Sequence, residues 1–498
     1  MRSRIVELNN RRAIYVRKKL ILLELNEVPY RVIDDYCRQR PNGTLAGLLS
    51  MSRQYETVTE DRLALDPWIS WPTLHRGVND EKHNILHLGQ MLTETDIRYP
   101  PIWQLLKQHG LRVGVFGSLH SSSLPKDVQD YSFYLPDYFD DEAFAHPIAL
   151  TAFHDLNLSM TRQSARNVTR KIPLGSAVKF IAQSRKLGLK FSTLVDSIVH
   201  LTREVFDNSL RVRRRSYQPL VTMDLFLRQL KGTKPDFATF YTNHVAAAMH
   251  RYWGAAFPED YGDQQLDKEW IAKYDTEILF AMEKLDSMMK GLRKFVEQNP
   301  EYCLMVASSM GQAAIPATMT HEFLTIVDIP RFMKALGVPR DGWELKPAMV
   351  PCCCVVVKDQ YRDLFASKIE SLAVGGFLIK RDARPISPLS YDERERGFFQ
   401  FFVQFDNFSG INTAVVANEV IELGDLGLGF IAHEDGVNCT AQHVPTGSLW
   451  VYHKGMQAQG LSRRNPISTL DVAPSILQFF GHEKPVYMRG TSSVTFDS

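Results

Sequence analysis

Long apolar runs are missing from this chain of 498 residues. No stretch approaches the roughly eighteen uninterrupted apolar residues that predict a membrane-spanning helix. The first twelve residues, MRSRIVELNNRR, also lack the apolar core that a signal peptide requires. We therefore expect a cytoplasmic protein.

Cysteine is scarce as well. The six cysteines have neither the spacing of a zinc finger nor that of a disulfide framework, which favours a reducing compartment. Three of them, Cys352 to Cys354, are adjacent within the apolar segment Met349–Val357. Neighbouring residues of a strand point to opposite faces, so this run cannot present three thiolates to one metal. We interpret it as part of a buried strand.

Charge of one sign does not dominate, because the formal net charge is +2 and 23% of residues are charged. Such a balance excludes a protein that coats nucleic acids. Between Thr161 and Arg215, however, thirteen Lys/Arg face three Asp/Glu. The basic run 211–215 lacks aromatic residues spaced for base stacking, so no nucleic-acid partner is expected. Two interpretations remain open: a solvated helical face, or a surface that contacts an anionic lipid or a phosphorylated substrate.

Strand-like and helix-like segments alternate along much of the chain. Apolar runs that end in polar or small residues lie at 19–27, 111–117, 237–242 and 302–308, and the segment 102–110 has the pattern of a helix. Strands that alternate with helices predict a mostly parallel sheet covered on both faces. The fold class is therefore α/β, and the polar residues after each strand mark the edge where such sheets build their sites.

Two segments interrupt this alternation. Residues 132–231 are helical and basic, and we interpret them as an inserted cap. Residues 348–404 contain short strand patterns and form, in our interpretation, a small α+β insertion. The core then consists of residues 1–131, 232–347 and 405–498.

The last sixty residues contain a histidine, a turn of small residues, an apolar strand and an apolar helix. The sequence runs from His443 through Gly447, and then from Asp471 through Pro474, whose acid and proline predict the start of a helix. A second motif, Asp66-Pro-Trp-Ile-Ser-Trp-Pro-Thr-Leu-His-Arg-Gly77, places a hydroxyl two residues before a proline. In this order the motifs resemble those of the alkaline phosphatase superfamily, with its nucleotide pyrophosphatases, phosphodiesterases and sulfatases. The resemblance implies an alkaline-phosphatase-like core, two divalent metals bound by Asp and His, and a Ser or Thr nucleophile between them.

The resemblance assigns the nucleophile to Ser70, with Thr73 as the second choice. The alternative is that Ser-Trp-Pro is only a helix N-terminus. In the final motif His443 matches the last metal-binding histidine of the family.

The ligand motif after the first strand departs from the family pattern. Asn26 stands where the family has an aspartate, so Glu24 or Glu27 would have to substitute; alternatively, both are charges at a helix N-terminus. In the middle motif His250 is kept, but Ala246 replaces the aspartate, and His244 is the candidate substitute.

The motif after the strand at 302–308 departs most. Ser309 and Met310 replace an aspartate and a histidine, and neither side chain holds a hard divalent cation as those residues do. The resemblance then implies that the second metal is absent.

These motifs lead to one set of candidate residues. Metal ligands are sought among Glu24, Asn26, His244, His250 and His443; catalytic hydroxyls in Ser70 and Thr73; and substrate-binding groups in Arg76, Arg251 and Ser309. The implied cofactor is at most one divalent cation, zinc or manganese.

The predicted function is hydrolysis of a phosphate or sulfate ester, or transfer of a phosphoryl-type group. The substrate is anionic, and contact with a membrane or a lipid-linked substrate is open. The alternative is a catalytically inactive binding or scaffolding protein, for example in the assembly of cell-surface glycans. The motifs do not bear on oligomeric state.

Overall fold

The computed structural model describes residues 18–496 with short gaps. The gaps are residues 141, 164–173, 263, 265, 318–319, 321, 347, 349–350, 382–386, 407–409, 434, 437–438 and 458–463. The N-terminal residues 1–12, on which the expectation about a signal peptide rests, lie outside the described residues. Among the described residues, no helix combines the length and the apolar character needed to cross a membrane.

The strands form one large sheet and several small ones. In chain order they are β1 (Lys19–Leu25), β2 (Arg53–Val58), β3 (Val113–Phe116), β4 (Phe133–Leu135), β5 (Phe237–Thr242), β6 (Tyr302–Ala307), β7 (Gly311–Ala314), β8 (Glu322–Ile326), β9 (Trp343–Lys346), β10 (Cys352–Val357), β11 (Ala373–Val374), β12 (Phe377–Leu378), β13 (Lys380–Arg381), β14 (Leu389–Glu395), β15 (Phe398–Val403), β16 (Phe405–Asp406), β17 (Thr413–Val416), β18 (Glu419–Glu422), β19 (Leu428–Ala432), β20 (Ala441–Val444), β21 (Thr446–His453) and β22 (Asn465–Ser468).

The helices connect these strands. They are α1 (Tyr30–Gln39), α2 (Thr44–Ser50), α3 (Pro67–Arg76), α4 (Asp80–His83), α5 (Thr93–Arg98), α6 (Ile102–Gln108), α7 (Thr151–Gln163), α8 (Leu174–Leu187), α9 (Phe191–Phe206), α10 (Arg214–Thr233), α11 (His244–Ala256), α12 (Lys268–Tyr274), α13 (Glu277–Gln298), α14 (Ile329–Ala335), α15 (Asp359–Glu370) and α16 (Val472–Phe479).

The central sheet has eight strands in the order β22-β2-β21-β6-β1-β5-β3-β4. Most neighbouring pairs are parallel, and β21 is antiparallel to both β2 and β6. All four strands predicted from apolar runs belong to it. The predicted α/β class, with a mostly parallel sheet, is therefore confirmed.

Strand β1 shows why its segment is central. All seven of its residues are buried, as expected for a strand covered on both faces. Leu23 and Leu25 join an apolar cluster with α1, α10, α11 and α13. Leu20 and Leu22 join a second cluster, with α3, α6 and α16, on the opposite face. Helices thus cover both faces of the sheet.

The carboxyl ends of the central strands meet at one edge. In the parallel register Glu24 lies opposite Tyr241 of β5 and Ala307 of β6. The residues that follow these strands are therefore neighbours in space, as expected for parallel strands. The two-stranded sheet of β7 and β20, in which His443 lies opposite Gln312, adds to the same edge.

A third apolar cluster includes buried residues from Leu324 to Leu428. It is built around the five-stranded sheet β13-β14-β15-β10-β9 and helix α15. The run Cys352–Cys354 lies in β10, where Cys353 and Cys354 are buried, so the interpretation of this run as strand is confirmed. The cluster reaches beyond the predicted insertion 348–404, and β4 of the central sheet lies within the predicted cap 132–231. The domain boundaries stay predictions.

The last helix begins next to Asp471, near the predicted start signal. The Asp471 carboxylate does not cap it, however. Its Oδ1 atom accepts a hydrogen bond of 2.6 Å from the backbone N–H of Thr491 instead. Asp471 therefore attaches the C-terminal segment to the start of α16.

Gly447 lies where β21 approaches the ends of its neighbouring strands most closely. A Cβ atom at this position would lie 2.6 Å from Thr57 Oγ1, 2.7 Å from the Met310 carbonyl oxygen and 2.9 Å from that of Ser308. We predict that Gly447→Ala lowers the free energy of unfolding by about 1–3 kcal/mol, measured by urea denaturation. Gly232→Ala is the control, because a Cβ there meets nothing within 4 Å in helix α10. Equal stability of Gly447→Ala and the wild-type protein would contradict the packing described.

Candidate metal centre

One carboxylate and two imidazoles converge at the carboxyl edge of the central sheet. Glu27 follows β1, His250 lies in α11 and His443 lies in β20. The Glu27 Oε2 atom is 3.0 Å from His250 Nε2 and 3.3 Å from His443 Nε2. The three donor atoms lie within 4.8 Å of one another, and no other group of three or more His, Cys, Asp and Glu converges in this way among the described residues.

Backbone carbonyl groups orient both imidazole rings. His250 Nδ1 lies 2.8 Å from the carbonyl oxygen of Ala441, and His443 Nδ1 lies 3.0 Å from that of Leu65. A carbonyl only accepts, so each Nδ1 carries the hydrogen and donates it. This leaves each Nε2 directed at Glu27. Metal-binding histidines are commonly held by such a second hydrogen bond.

Side-chain amides hold the Glu27 carboxylate in place. Asn26 Nδ2 donates to Oε1 at 2.6 Å, and Gln312 Nε2 donates to Oε2 at 2.5 Å. Asn26 is itself fixed, because it donates to Asn243 Oδ1 and accepts a hydrogen bond from Trp71 Nε1, each at 2.7 Å. Glu27 also has a backbone φ of 58°, a conformation that is unfavourable for a residue with a side chain and is concentrated at functional sites.

Glu27, His250 and His443 shift one another's pKa values through their charges. Burial raises the pKa of Glu27, but the charges of His443 and His250 outweigh it, so that the pKa lies well below its ordinary value. For His250 and His443, burial lowers the pKa, and the Glu27 carboxylate more than compensates, so both pKa values are raised. A metal binds the neutral form of an imidazole, so a cation competes with protons at these two histidines.

The donor set fits a divalent cation. Two imidazole nitrogens and a carboxylate oxygen are ligands that zinc takes, at about 2.0–2.1 Å each in a tetrahedron. Such bonds separate neighbouring ligand atoms by about 3.3 Å, close to the 3.0 and 3.3 Å observed. The side chains of His250 and His443 are 28% and 18% exposed, whereas that of Glu27 is 3% exposed. Both imidazole side chains are therefore partly exposed, whereas the carboxylate between them is buried.

Glu24, one of the predicted ligands, lies in a different cluster. The alternation of β1 places it on the face of Leu20 and Leu22, where its Oε1 atom is 2.9 Å from His75 Nε2. Ser118 Oγ donates to the same oxygen at 3.1 Å. Glu24 and His75 are both buried, so Glu24 is hydrogen-bonded to α3 inside the protein and is not part of the trio.

His244 also points away from the trio. Its Nε2 atom is 3.1 Å from the carbonyl oxygen of Ala281 on α13, and burial lowers its pKa to about 4. His244 and His250 lie six residues apart on α11, which separates their directions by about 120° around the helix. Asn26 supports the trio through its amide, as described above, without placing a carboxylate there.

The predicted nucleophile Ser70 lies in the first half of α3. It is linked to the trio through its neighbour in that helix. Its Oγ atom is 2.7 Å from Ser309 Oγ, and both serines are fully buried. The next residue, Trp71, is the one that donates to Asn26. One turn earlier, Asp66 lies near enough to His443 to raise its pKa further, after the larger effects given above.

Thr73 lies in a second polar cluster one turn further along α3. His83 Nδ1 accepts a hydrogen bond from the backbone N–H of Ile85, so His83 Nε2 donates to Thr73 Oγ1 at 2.9 Å. The Thr73 hydroxyl in turn donates to Asp61 Oδ1 at 2.5 Å. Burial raises the pKa of Asp61 to about 6.

The two arginines predicted to bind substrate are engaged in ion pairs. Arg76 is 1% exposed and its Nη2 atom is 2.8 Å from Asp96 Oδ1. Arg251 is also buried, and its Nη1 atom is 2.8 Å from Asp435 Oδ2. Neither guanidinium is directed at solvent beside the trio.

Two residues of this centre lie outside the candidate set that the motifs predict. The motifs offer Glu27 only as an alternative to Glu24, and they do not indicate Gln312. Their positions in the sequence could have identified both residues. Glu27 lies two residues after the end of β1, and Gln312 directly follows the Ser-Ser-Met-Gly segment, where the resemblance implies a metal-binding motif. Polar side chains just beyond parallel strands point to the functional edge of the sheet.

Comparisons with known proteins give a likeness in structure only. No protein-family model matches the chain, and no curated protein matches it in sequence. Among solved structures, murine ectonucleotide pyrophosphatase/phosphodiesterase 5 matches with 10% identity and a TM-score of 0.41, over 95% of this chain and 98% of the other. An inactive variant of that protein in complex with AMP matches with 10% identity and a TM-score of 0.40, over 95% and 97%. Activity and substrate do not transfer at this level of similarity.

We predict that the purified protein binds about one equivalent of zinc. Glu27→Gln, His250→Ala and His443→Ala should each lose most of it, because each removes one of three ligands. Elemental analysis after dialysis measures the bound metal. His244→Ala and His453→Ala are the controls and should keep it, since both histidines lie outside the trio. Loss of the metal in His244→Ala alone would show that the ligand set is wrong.

Proposed function

We propose that the protein is a hydrolase of phosphate esters or phosphodiesters that uses a single divalent cation bound by Glu27, His250 and His443. The observation that carries this proposal is the set of two histidines and one glutamate, with both imidazoles and the carboxylate oriented by further hydrogen bonds. Catalytic zinc sites commonly have three protein ligands and one position left for water or substrate, whereas structural sites use four.

When bound, a divalent cation supplies Lewis-acid stabilisation of the negative charge on the ester. The protein's own groups position the reaction. Asn26 and Gln312 fix the Glu27 carboxylate, and the carbonyl groups of Ala441 and Leu65 fix the imidazole rings. Groups held in this way do not have to reorganise as charge develops.

Ser70 is the nucleophile that this arrangement favours. It shares a hydrogen bond with Ser309, so its hydroxyl is held by a neutral partner. Helix α3 couples it to the centre, since Trp71 donates to Asn26 and Asn26 donates to Glu27. Thr73 is the alternative, because its hydroxyl donates a hydrogen bond to Asp61, a carboxylate that is placed to act as a base.

A second candidate function has its own support. Ser70 and Ser309 are fully buried, and both arginines considered for substrate binding are in ion pairs. These features favour a metal-stabilised binding or scaffolding protein without turnover. The cytoplasmic location and a role in the assembly of cell-surface glycans stay predictions.

The proposal predicts turnover of aryl phosphate esters. With zinc or manganese, the protein should release p-nitrophenol from bis(p-nitrophenyl) phosphate or p-nitrophenyl phosphate, and p-nitrophenyl sulfate tests the sulfate alternative. Ser70→Ala should lower kcat by about 100-fold or more because it removes the nucleophile. Its metal content should stay unchanged.

Ser287→Ala is the matched control, because Ser287 is an exposed helical serine on α13. If Ser70→Ala keeps its activity while Thr73→Val loses it, the nucleophile is Thr73. No turnover of any ester by the metal-loaded wild-type protein would refute the hydrolase and favour the binding protein.

A further inference from the structure

Helix α9 carries its apolar side chains on the outside. The exposed apolar residues are Phe191, Val195, Ile198, Val199, Val205 and Phe206, each between 40% and 87% exposed. Their spacing places them within about 120° of one another around the helix, in one stripe that runs about 24 Å from the first turn to the last. We call these six residues the α9 stripe. Isolated exposed apolar residues are common, but a continuous stripe of this kind marks an interaction surface.

The inner face of α9 is polar. Thr193 Oγ1 donates to Asp224 Oδ2 at 2.6 Å, and Asp196 Oδ2 is 2.7 Å from Lys284 Nζ. Both partners lie on the core helices α10 and α13.

The last turns of α9 continue this pattern. Glu204 is buried and accepts hydrogen bonds from Arg214 Nε at 2.7 and 2.9 Å, and the His200 ring stacks on Tyr217. The helix is thus attached to the protein through polar contacts, in the reverse of the usual arrangement. The stripe is therefore not a misplaced part of the core, because the core side of α9 is already satisfied by polar groups.

The preceding helix extends the same kind of surface and adds positive charge. On α8, Val178 and Ile181 are 65% and 56% exposed. Lys179, Arg185 and Lys186 of the same helix are also exposed. Only residues 188–190 separate the end of α8 from the start of α9, so Arg185 and Lys186 are close in sequence to the beginning of the stripe.

The charge of this surface is positive. Residues 174–206 contain five Lys/Arg and two Asp/Glu. One of the five, Lys190, is paired with Asp224 of α10, with 2.5 Å between Nζ and Oδ1, which leaves four basic side chains. Both acidic residues, Asp196 and Glu204, are already engaged with basic side chains of the core, so they do not neutralise the surface lysines.

We propose that the α9 stripe and the basic residues of α8 bind an anionic lipid membrane. An apolar helical face that contains phenylalanine and is flanked by Lys and Arg is the pattern of helices that lie in the membrane interface. Lysine favours a membrane over a protein partner, because lysine is depleted at protein–protein interfaces. At a membrane its aliphatic stem stays in the apolar layer while the ammonium group reaches the lipid phosphates. The inference is independent of any catalytic activity at the metal centre.

Co-sedimentation with lipid vesicles tests this inference. The wild-type protein should bind vesicles of phosphatidylcholine and phosphatidylserine, mixed at about three to one. Its affinity for vesicles of phosphatidylcholine alone should be lower by about tenfold or more. Phe191→Ser with Phe206→Ser should weaken binding to the anionic vesicles by about tenfold or more, because it removes the two largest groups of the stripe. Val420→Ser with Val486→Ser is the matched control, since both valines are exposed outside α8 and α9.

A pair of charge-reversal substitutions tests the contribution of the basic residues on α8 to vesicle binding. Lys179→Glu with Lys186→Glu should also reduce binding to the anionic vesicles by about tenfold. The control, Lys290→Glu with Lys294→Glu, reverses two exposed charges of α13 and should bind as the wild-type protein does. Circular dichroism and thermal unfolding show that each variant is folded before it is compared.

Three results would overturn the inference. The first is that the wild-type protein fails to bind anionic vesicles. The second is that the phenylalanine pair binds them as well as its control does. The third is that the wild-type protein forms dimers in sedimentation velocity that the phenylalanine pair abolishes, without lipid binding, which would assign the stripe to a second copy of the chain.

Discussion

The carboxylate of Glu27 is the constraint around which the candidate centre is built. It is buried at the carboxyl end of the central strand, and a buried charge is strongly unfavourable unless it is paired and hydrogen-bonded. Two amides and two imidazoles satisfy it, and its backbone adopts a left-handed conformation to reach them. Whether protons or a divalent cation supply the positive charge, the same side chains must converge on this carboxylate.

A second group of side chains lies at the end of the neighbouring strand. Ser309 shares a hydrogen bond with Ser70, and Met310 is buried. A pair of neutral hydroxyls needs no counter-ion; the absence of a second metal stays a prediction. Ala246, which replaces an expected aspartate, leaves the one carboxylate of the trio to come from Glu27. The α9 stripe lies on a different helix pair and is governed by a different physical effect, the burial of apolar surface.

Much of the fold could be predicted, because strands that are buried on both faces of a sheet appear in the sequence as continuous apolar runs. The segments 19–27, 237–242 and 302–308 read as strands, and the structure forms strands there. The cap and insertion boundaries were harder, because short strands such as β4 carry too few residues to show a pattern.

His250 and His443 were identified through the resemblance, and the structure brings them together. The choice between Glu24 and Glu27 was open, because it depends on the alternation of β1 and on the backbone turn after it. His244 and His250 lie close in sequence but point in different directions on α11, which only the position of the helix start determines.

The most direct test of the account is a crystal structure of the protein grown with zinc, with anomalous diffraction recorded at the zinc absorption edge. We expect one strong anomalous peak about 2.0–2.1 Å from a carboxylate oxygen of Glu27, His250 Nε2 and His443 Nε2. A peak bound by other residues, or no peak with the two imidazoles still paired to the Glu27 carboxylate, would contradict it.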